Sequence, residues 1–234
     1  MVGLGPGDQE FLAGKTIEVI KMADAVVGYK SYVKLIENLV ENKKVVSSGM
    51  KQEQKRAEKA IELANEGKNV VVVSSGDPGI YGMAGLLLEL TPPNLEVEII
   101  PGITAASAAA SILGAPLIND FAVVSLSDLL TPWELINKRL NAAGQGDFAI
   151  VLYNPRSQGR REQIEWACEI LLKYKDPKTP VGIVRNAKRG ETKAVITTLG
   201  KMLQEEIDML TTVIIGNSDT RIINGKMVTA RGYK

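Results

Sequence analysis

The 234-residue chain contains no histidine and a single cysteine. Without an imidazole, the commonest general base near neutral pH and the commonest metal ligand are both missing. Any proton transfer must then use Asp, Glu, Lys, Tyr, water or the substrate itself. One cysteine excludes an intrachain disulfide and a cysteine metal cluster, and no metal site is expected. Cys168 stands at apolar helical spacing with Ile164 and Leu171, which makes it a core residue rather than a nucleophile. Aromatic residues are scarce at 5%, and 28 basic against 27 acidic residues leave a formal net charge of +1. That balance carries no overall electrostatic footprint for nucleic acid, although a local basic face stays open. No apolar run reaches membrane-spanning length, and a glycine-rich turn begins at Gly3 where a signal peptide would carry its apolar core. A cytoplasmic protein with no membrane and no nucleic-acid partner is the expectation.

What the chain has instead is glycine at the ends of strands. Val70 to Val73 reads as a strand buried on both faces, and Ser74-Ser75-Gly76-Asp77-Pro78-Gly79-Ile80-Tyr81-Gly82 follows it, before a helix from Met83 to Leu90. Turns at the carboxyl ends of strands are where open α/β sheets bind ligands. The glycines permit positive φ and close approach of a ligand, Asp77 is expected at the start of the following helix, and Pro78 stiffens the turn. A capped loop without ligand has the same composition.

Gly3-Leu4-Gly5-Pro6-Gly7-Asp8 resembles a dinucleotide loop, but the third glycine of G-x-G-x-x-G would fall at Asp8. Pro6 also removes a donor where a pyrophosphate needs one, so a nicotinamide or flavin site is disfavoured. The strand feeding this loop is expected to be cut short. Residues 12–23 read as a helix, Ala25 to Gly28 as a strand ending at Tyr29-Lys30, and Lys51 to Gly67 as a helix with Gly67 at its C-terminal cap. Val97 to Ile100 reads as a strand turned by Pro101-Gly102-Ile103-Thr104 into a helix of small residues, Ala105 to Leu113. Such a stripe packs closely against another helix or a ligand.

Gly114 to Asp120 is the candidate domain boundary, giving domains 1–115 and 116–234. Phe121 to Ser125 is a strand, Leu126 to Leu130 a loop, and Thr131-Pro132-Trp133-Glu134 a helix start with Thr131 as N-cap and Glu134 closing a capping box. Strands at Phe148–Tyr153, Val181–Val184, Val195–Thr198 and Val213–Ile215, a helix at Ile164–Leu172 and a hairpin at Asn224-Gly225 make the second half richer in β-structure. A cleft between two α/β halves is the natural ligand site for such a chain.

With these turns laid out, the chain resembles the tetrapyrrole methylases along essentially its whole length. Gly3 to Gly7, Ser74 to Gly85 and Pro101 to Thr104 mark the broad class. Val27-Gly28-Tyr29-Lys30, Ser125-Leu126-Ser127-Asp128-Leu129-Leu130-Thr131-Pro132-Trp133, Tyr153 to Ser157 and Arg231-Gly232-Tyr233 are similar to the branch that methylates C17 of precorrin-3B or cobalt-factor III in cobalamin synthesis.

The resemblance implies an α/β, two-domain fold, each domain an open sheet flanked by helices with an active-site cleft between them, in a homodimer. It implies S-adenosyl-L-methionine as cofactor, S-adenosyl-L-homocysteine as product and a tetrapyrrole as substrate. Gly76, Asp77 and Ile80 would hold the amino-acid and ribose part, and Thr104 and Ala105 the methionine end. Tyr153, Asn154, Asn186 and Ala187 would line the adenine, with Pro6 on the floor. Two positions depart from relatives: Tyr29 stands where many carry an acid, and Ala187 where some carry glycine.

Methyl transfer from a sulfonium to electron-rich carbon is an in-line displacement that asks for position and water exclusion, so no side-chain nucleophile is required. The resemblance also implies a contraction of the macrocycle with lactone formation, which needs proton transfers; Asp8, Tyr29, Lys30, Ser127 and Asp128 are the candidates. Asp128 could equally serve the helix that follows it. Lys30, Arg156, Arg160, Arg161, Lys188 and Arg189 follow strand ends and would meet the carboxylates of the substrate. Methylation of another ring position or of ribosomal RNA, and non-catalytic sequestration of a tetrapyrrole or nucleotide, remain as alternatives.

Overall fold

The computed structural model describes residues 1–157 and 159–232, so Tyr233 of the Arg-Gly-Tyr motif lies outside the described residues. The chain divides into two units, Met1–Ala105 with Lys188–Gly190, and Ala106–Ala187 with the chain from Glu191 onward.

The first unit is built on a parallel four-stranded sheet in the order β1-β4-β2-β3. Its strands are β1 (Val2–Gly3), β2 (Ala25–Tyr29), β3 (Lys44–Ser48) and β4 (Val70–Ser74). Its helices are α1 (Gly14–Met22), α2 (Lys30–Lys34), α3 (Glu53–Asn65) and α4 (Ala84–Leu90). The valine run is buried on both faces because successive side chains of a strand point opposite ways. Val71 and Val73 join Ile20, Val26 and Ile36 on one side, and Val72 joins Val27, Ala57 and Leu63 on the other. Gly67 closes α3 with φ +81°.

Two expectations for this unit change. The strand at Val97–Ile100 reduces to a bridge between Ile100 and Val2, because the β1 edge it runs along is only two residues long. Asp77 is not at a helix start: the turn after β4 runs on to Met83, which caps α4.

The second unit holds a five-stranded sheet in the order β6-β7-β10-β8-β9, parallel only between β6 and β7. The strands are β6 (Phe121–Ser125), β7 (Ala149–Tyr153), β8 (Pro180–Arg185), β9 (Lys193–Thr198) and β10 (Thr211–Ile215). A small sheet joins β5 (Gly114–Ala115) to the hairpin β11 (Thr220–Ile223) and β12 (Lys226–Thr229). Asn224 and Gly225 both take positive φ, as a two-residue hairpin turn requires.

Helices α6 (Trp133–Gln145) and α7 (Gln163–Leu171) cover one face of the large sheet, where Ile136, Leu140, Ile150, Leu152, Ile164 and Val213 form the core. On the other face lies α5 (Ala105–Leu113). Its inner face meets the sheet itself, through Ala106, Ala109 and Leu113 against Val151, Val184 and Ile214, rather than another helix. Gly182 makes the approach possible: a Cβ there would lie 2.2 Å from Leu113. Nearly all of α5, expected in the first domain, is thereby part of the second unit's core.

The helix start at α6 also differs. Pro132, with ψ 143°, is the N-cap, and no side-chain cap bond forms. The extended ψ keeps Pro132 outside the helix, so Thr131 stands one residue too early for the expected capping box.

Among the described residues no helix is long and apolar enough to cross a membrane. Cys168 is buried in α7 with its thiol directed at the Leu199 carbonyl, 3.5 Å away, and burial pushes its pKa up. It is core, as expected.

Candidate active site

In the first unit, three turns meet backbone to backbone at the carboxyl end of the sheet. Gly5 and Gly76 form an antiparallel bridge, with Gly76 N donating to Gly5 O at 2.7 Å and Gly5 N to Gly76 O at 3.2 Å. Both have φ near +65°, the left-handed region that favours glycine. Gly102 closes the third side. A Cβ added there would lie 2.2 Å from Gly76 O, and one on Gly3 would lie 2.5 Å from the same atom. No side chain fits where these strands end, so the floor is made of peptide groups.

Asp77 stitches this floor together. Its Oδ1 accepts from Gly79 N at 2.8 Å and its Oδ2 from Gly102 N at 3.1 Å. Its carboxylate, expected against the cofactor, is therefore already engaged inside the protein. A Cβ on Gly76 would lie 3.9 Å from Ala105 N and from Thr104 Cα, so Gly76, Thr104 and Ala105 are brought together as expected. Ile80 is exposed on the same turn, next to Tyr81 with φ +53°.

Pro6 is buried, and its carbonyl accepts from Arg189 Nε at 2.6 Å. Arg189 also donates to Ser75 Oγ, and its Nε would collide with a Cβ on Gly7. Burial lowers its pKa, with the Tyr32 and Asp8 side chains acting against that. Arg189 is thus a pin between two ligand-side loops rather than a cation open to substrate. Asp8 is tied down in the same way, since its Oδ1 accepts from Gly190 N at 2.8 Å and its N donates to Lys188 O at 2.9 Å. Lys188 lies over the Phe11 ring, 5.3 Å from its centroid. Tyr29 stacks edge-on against Tyr32 at 5.1 Å beneath the Arg56 guanidinium, while Lys30 is exposed at the start of α2.

In the second unit, Tyr153 and Ala187 pack against the same cluster as Ala106, and the Tyr153 hydroxyl accepts from Ala106 N at 2.7 Å. Asn154 and Asn186 both have φ +51°, a conformation Asn tolerates better than most residues. Asn154 Nδ2 donates to Ser125 Oγ at 2.9 Å, and the same hydroxyl accepts from Ser127 N at 3.2 Å.

Arg160 corrects an expectation. It is 8% exposed, and its Nη1 donates to Leu126 O at 2.9 Å and Asn154 O at 3.1 Å, so it binds loops where a substrate carboxylate was expected. Arg156 is half-buried, 4.0 Å from Glu165, and lines a hollow of about 510 Å³ together with Arg161, Met209 and Leu210. Asp128 accepts from Gln163 Nε2 at 2.9 Å. Residue order pointed to neither Gln163, whose partner lies 35 positions away, nor the pinning role of Arg189, whose partners lie 114 and 183 positions away.

S-adenosylmethionine fits the first unit's floor on one structural ground: peptide groups of Gly76, Thr104 and Ala105 converge where no side chain intrudes. Strand-end floors of this kind are where open α/β sheets bind ligands.

A family model described as Tetrapyrrole (Corrin/Porphyrin) Methylases matches residues 1–203. A probable cobalt-factor III C(17)-methyltransferase of Salmonella typhimurium is 49% identical over 236 residues, covering 100% of this chain and 98% of that protein. The cobalt-factor III methyltransferase of Priestia megaterium is 48% identical, and this chain spans 45% of its length. Among solved structures, that of the methyltransferase CobJ superposes with a TM-score of 0.93 at 39% identity over 98% of both chains. The uroporphyrin-III C-methyltransferase of Thermus thermophilus complexed with S-adenosylhomocysteine gives 0.68 at 26% identity, covering 92% of this chain and 90% of that one. The chain belongs to the tetrapyrrole (corrin/porphyrin) methylases.

Proposed function

We propose that the chain is the methyltransferase acting at C17 of a cobalt-factor III or precorrin-3B type tetrapyrrole in cobalamin synthesis, with S-adenosylmethionine as methyl donor. The observation that carries this reading is identity of nearly half the residues, end to end, with proteins named for that activity. The bound cofactor supplies an electrophilic methyl group. The protein's own part is position: Gly76, Thr104 and Ala105 offer peptide groups, Asp77 and Arg189 hold the turns that present them, and Pro6 shapes the floor. Ile80, Tyr153, Asn154, Asn186 and Ala187 complete the proposed cofactor set. The tetrapyrrole brings the nucleophilic carbon, so the chain needs neither histidine nor a reactive thiol.

Contraction of the macrocycle belongs to the same proposal, with Asp128 and Ser127 as the groups that handle protons. Asp8 and Tyr29 recede to positioning roles, given their internal partners. Arg156, Arg161, Lys30 and Lys188 are the cations proposed to meet substrate carboxylates. A homodimer in the cytoplasm is the setting we infer.

Incubation with S-adenosylmethionine labelled in its methyl group and cobalt-factor III, followed by mass spectrometry, tests the reading. Label on C17 of a contracted ring is the expected result. Tight pigment binding without methyl incorporation would replace catalysis by sequestration.

A further inference from the structure

Gln163 belongs to no motif, yet it faces Asp128 from the first position of α7 and is 7% exposed. Its Nε2 donates to Asp128 Oδ2 at 2.9 Å, and its Oε1 is buried without a partner among the described residues. A buried acceptor left idle is costly and calls for an explanation. Asp128 Oδ1 lies 3.9 Å from Arg160 Nε. Arg160 is itself fixed by Leu126 O, Asn154 O and the Met209 sulfur, so it orients the carboxylate without being free to follow it. Asp128 does not cap the next helix, since Pro132 takes that position and no side-chain cap bond forms. Its partners are on α7 and on the loop after β7.

A terminal amide has two faces. Its NH2 donates to a carboxylate; turned over, its carbonyl accepts from a carboxylic acid. The idle Oε1 gives Gln163 an answer to either form of Asp128. We propose that Gln163 is a positioning residue that holds Asp128 in one place whether or not it carries a proton, so that Asp128 can take a proton from the substrate and return it during ring contraction. In that step a bond from hydrogen to the substrate breaks, its electron pair stays with the substrate, and an O–H bond forms on Asp128. The inference rests on the function proposed above.

The test is the split between methylated ring-intact and methylated contracted product, read by mass spectrometry for the full chain, for Gln163→Met and for Asp128→Asn. Binding of S-adenosylhomocysteine by calorimetry confirms that each variant is folded. Gln163→Met keeps the length and removes both polar faces. Its contracted fraction is expected to fall by about tenfold, part of the 10²–10⁴ that a positioned acid–base group contributes, with uncontracted methylated product accumulating. Asp128→Asn, which cannot carry the proton, should show the same accumulation. A wild-type split in Gln163→Met overturns the inference and leaves the proposed function standing, whereas a wild-type split in Asp128→Asn overturns the inference together with the role proposed for Asp128 in contraction and leaves only the methylation standing. A parallel fall of both products, which is what a merely structural role gives, also overturns the inference. A wild-type chain that methylates nothing removes the proposed function, and this inference with it.

Discussion

Replacing Asp77 by asparagine removes one of the two acceptors that tie the ligand-side turns together. Oδ1 holds Gly79 N at 2.8 Å and Oδ2 holds Gly102 N at 3.1 Å. The first bond closes a local turn that Asn forms as readily as Asp. The loss therefore falls on Gly102, where the variant sets an NH2 group against a backbone N–H. A hydrogen bond to a charged group contributes about 1.5–3 kcal/mol. Asp77 is half-buried and water can reach part of the site, so the lower end of about 1.5 kcal/mol is expected. If that energy serves to hold the floor in its ligand-ready form, S-adenosylhomocysteine affinity falls about tenfold. Asp77→Ala loses both bonds and should fall further. Calorimetric titration with S-adenosylhomocysteine, beside urea unfolding, reads both effects. An asparagine variant with native affinity and native urea midpoint would refute the claim that this carboxylate holds the turns.

Gly102→Ala drives a Cβ to 2.2 Å from Gly76 O, backbone against backbone, and should cost about 1–3 kcal/mol in urea unfolding. Gly85→Ala in α4 meets nothing within 4 Å and should instead stabilise by up to about 1 kcal/mol, so equal midpoints for the two would contradict the packing argument. The Cys168 thiol should resist a disulfide exchange reagent in the native chain and react once urea unfolds it; rapid native labelling would place it elsewhere. Burial pushes the carboxyls of Asp147 and Asp208 up, but their bonds outweigh it and hold both below their ordinary value of 3.8: Ser218 and Lys175 for Asp147, Arg185 and Thr211 for Asp208. A depressed folded-state value contributes stability above pH 3.8 that is lost as pH falls through the lowered value. Asp147→Asn and Asp208→Asn should each flatten the loss of stability below that pH, and an unchanged acid profile would discount the pairs.

The parts of the site legible in sequence are those whose chemistry is local. Gly5 and Gly76 announce turns because few other residues take their φ, and Asn154 and Asn186 announce strand ends for a related reason. What could not be read is which polar group meets which. Arg160 follows a strand end like Arg156, and only the position of the Leu126 and Asn154 carbonyls turns it inward. Gln163 sits in an ordinary apolar helix pattern, and its importance depends on a carboxylate 35 residues earlier.

The linear chain decided most of the strands and the turns after them, because periodicity and glycine placement are properties of neighbouring residues, and the resemblance of its motifs to a known family implied the class of chemistry. Folding decided the roles. Asp77, Arg189 and Arg160 became internal ties, and α5 joined the second unit's sheet, because hydrogen-bond partners and close packing arise between segments far apart in sequence.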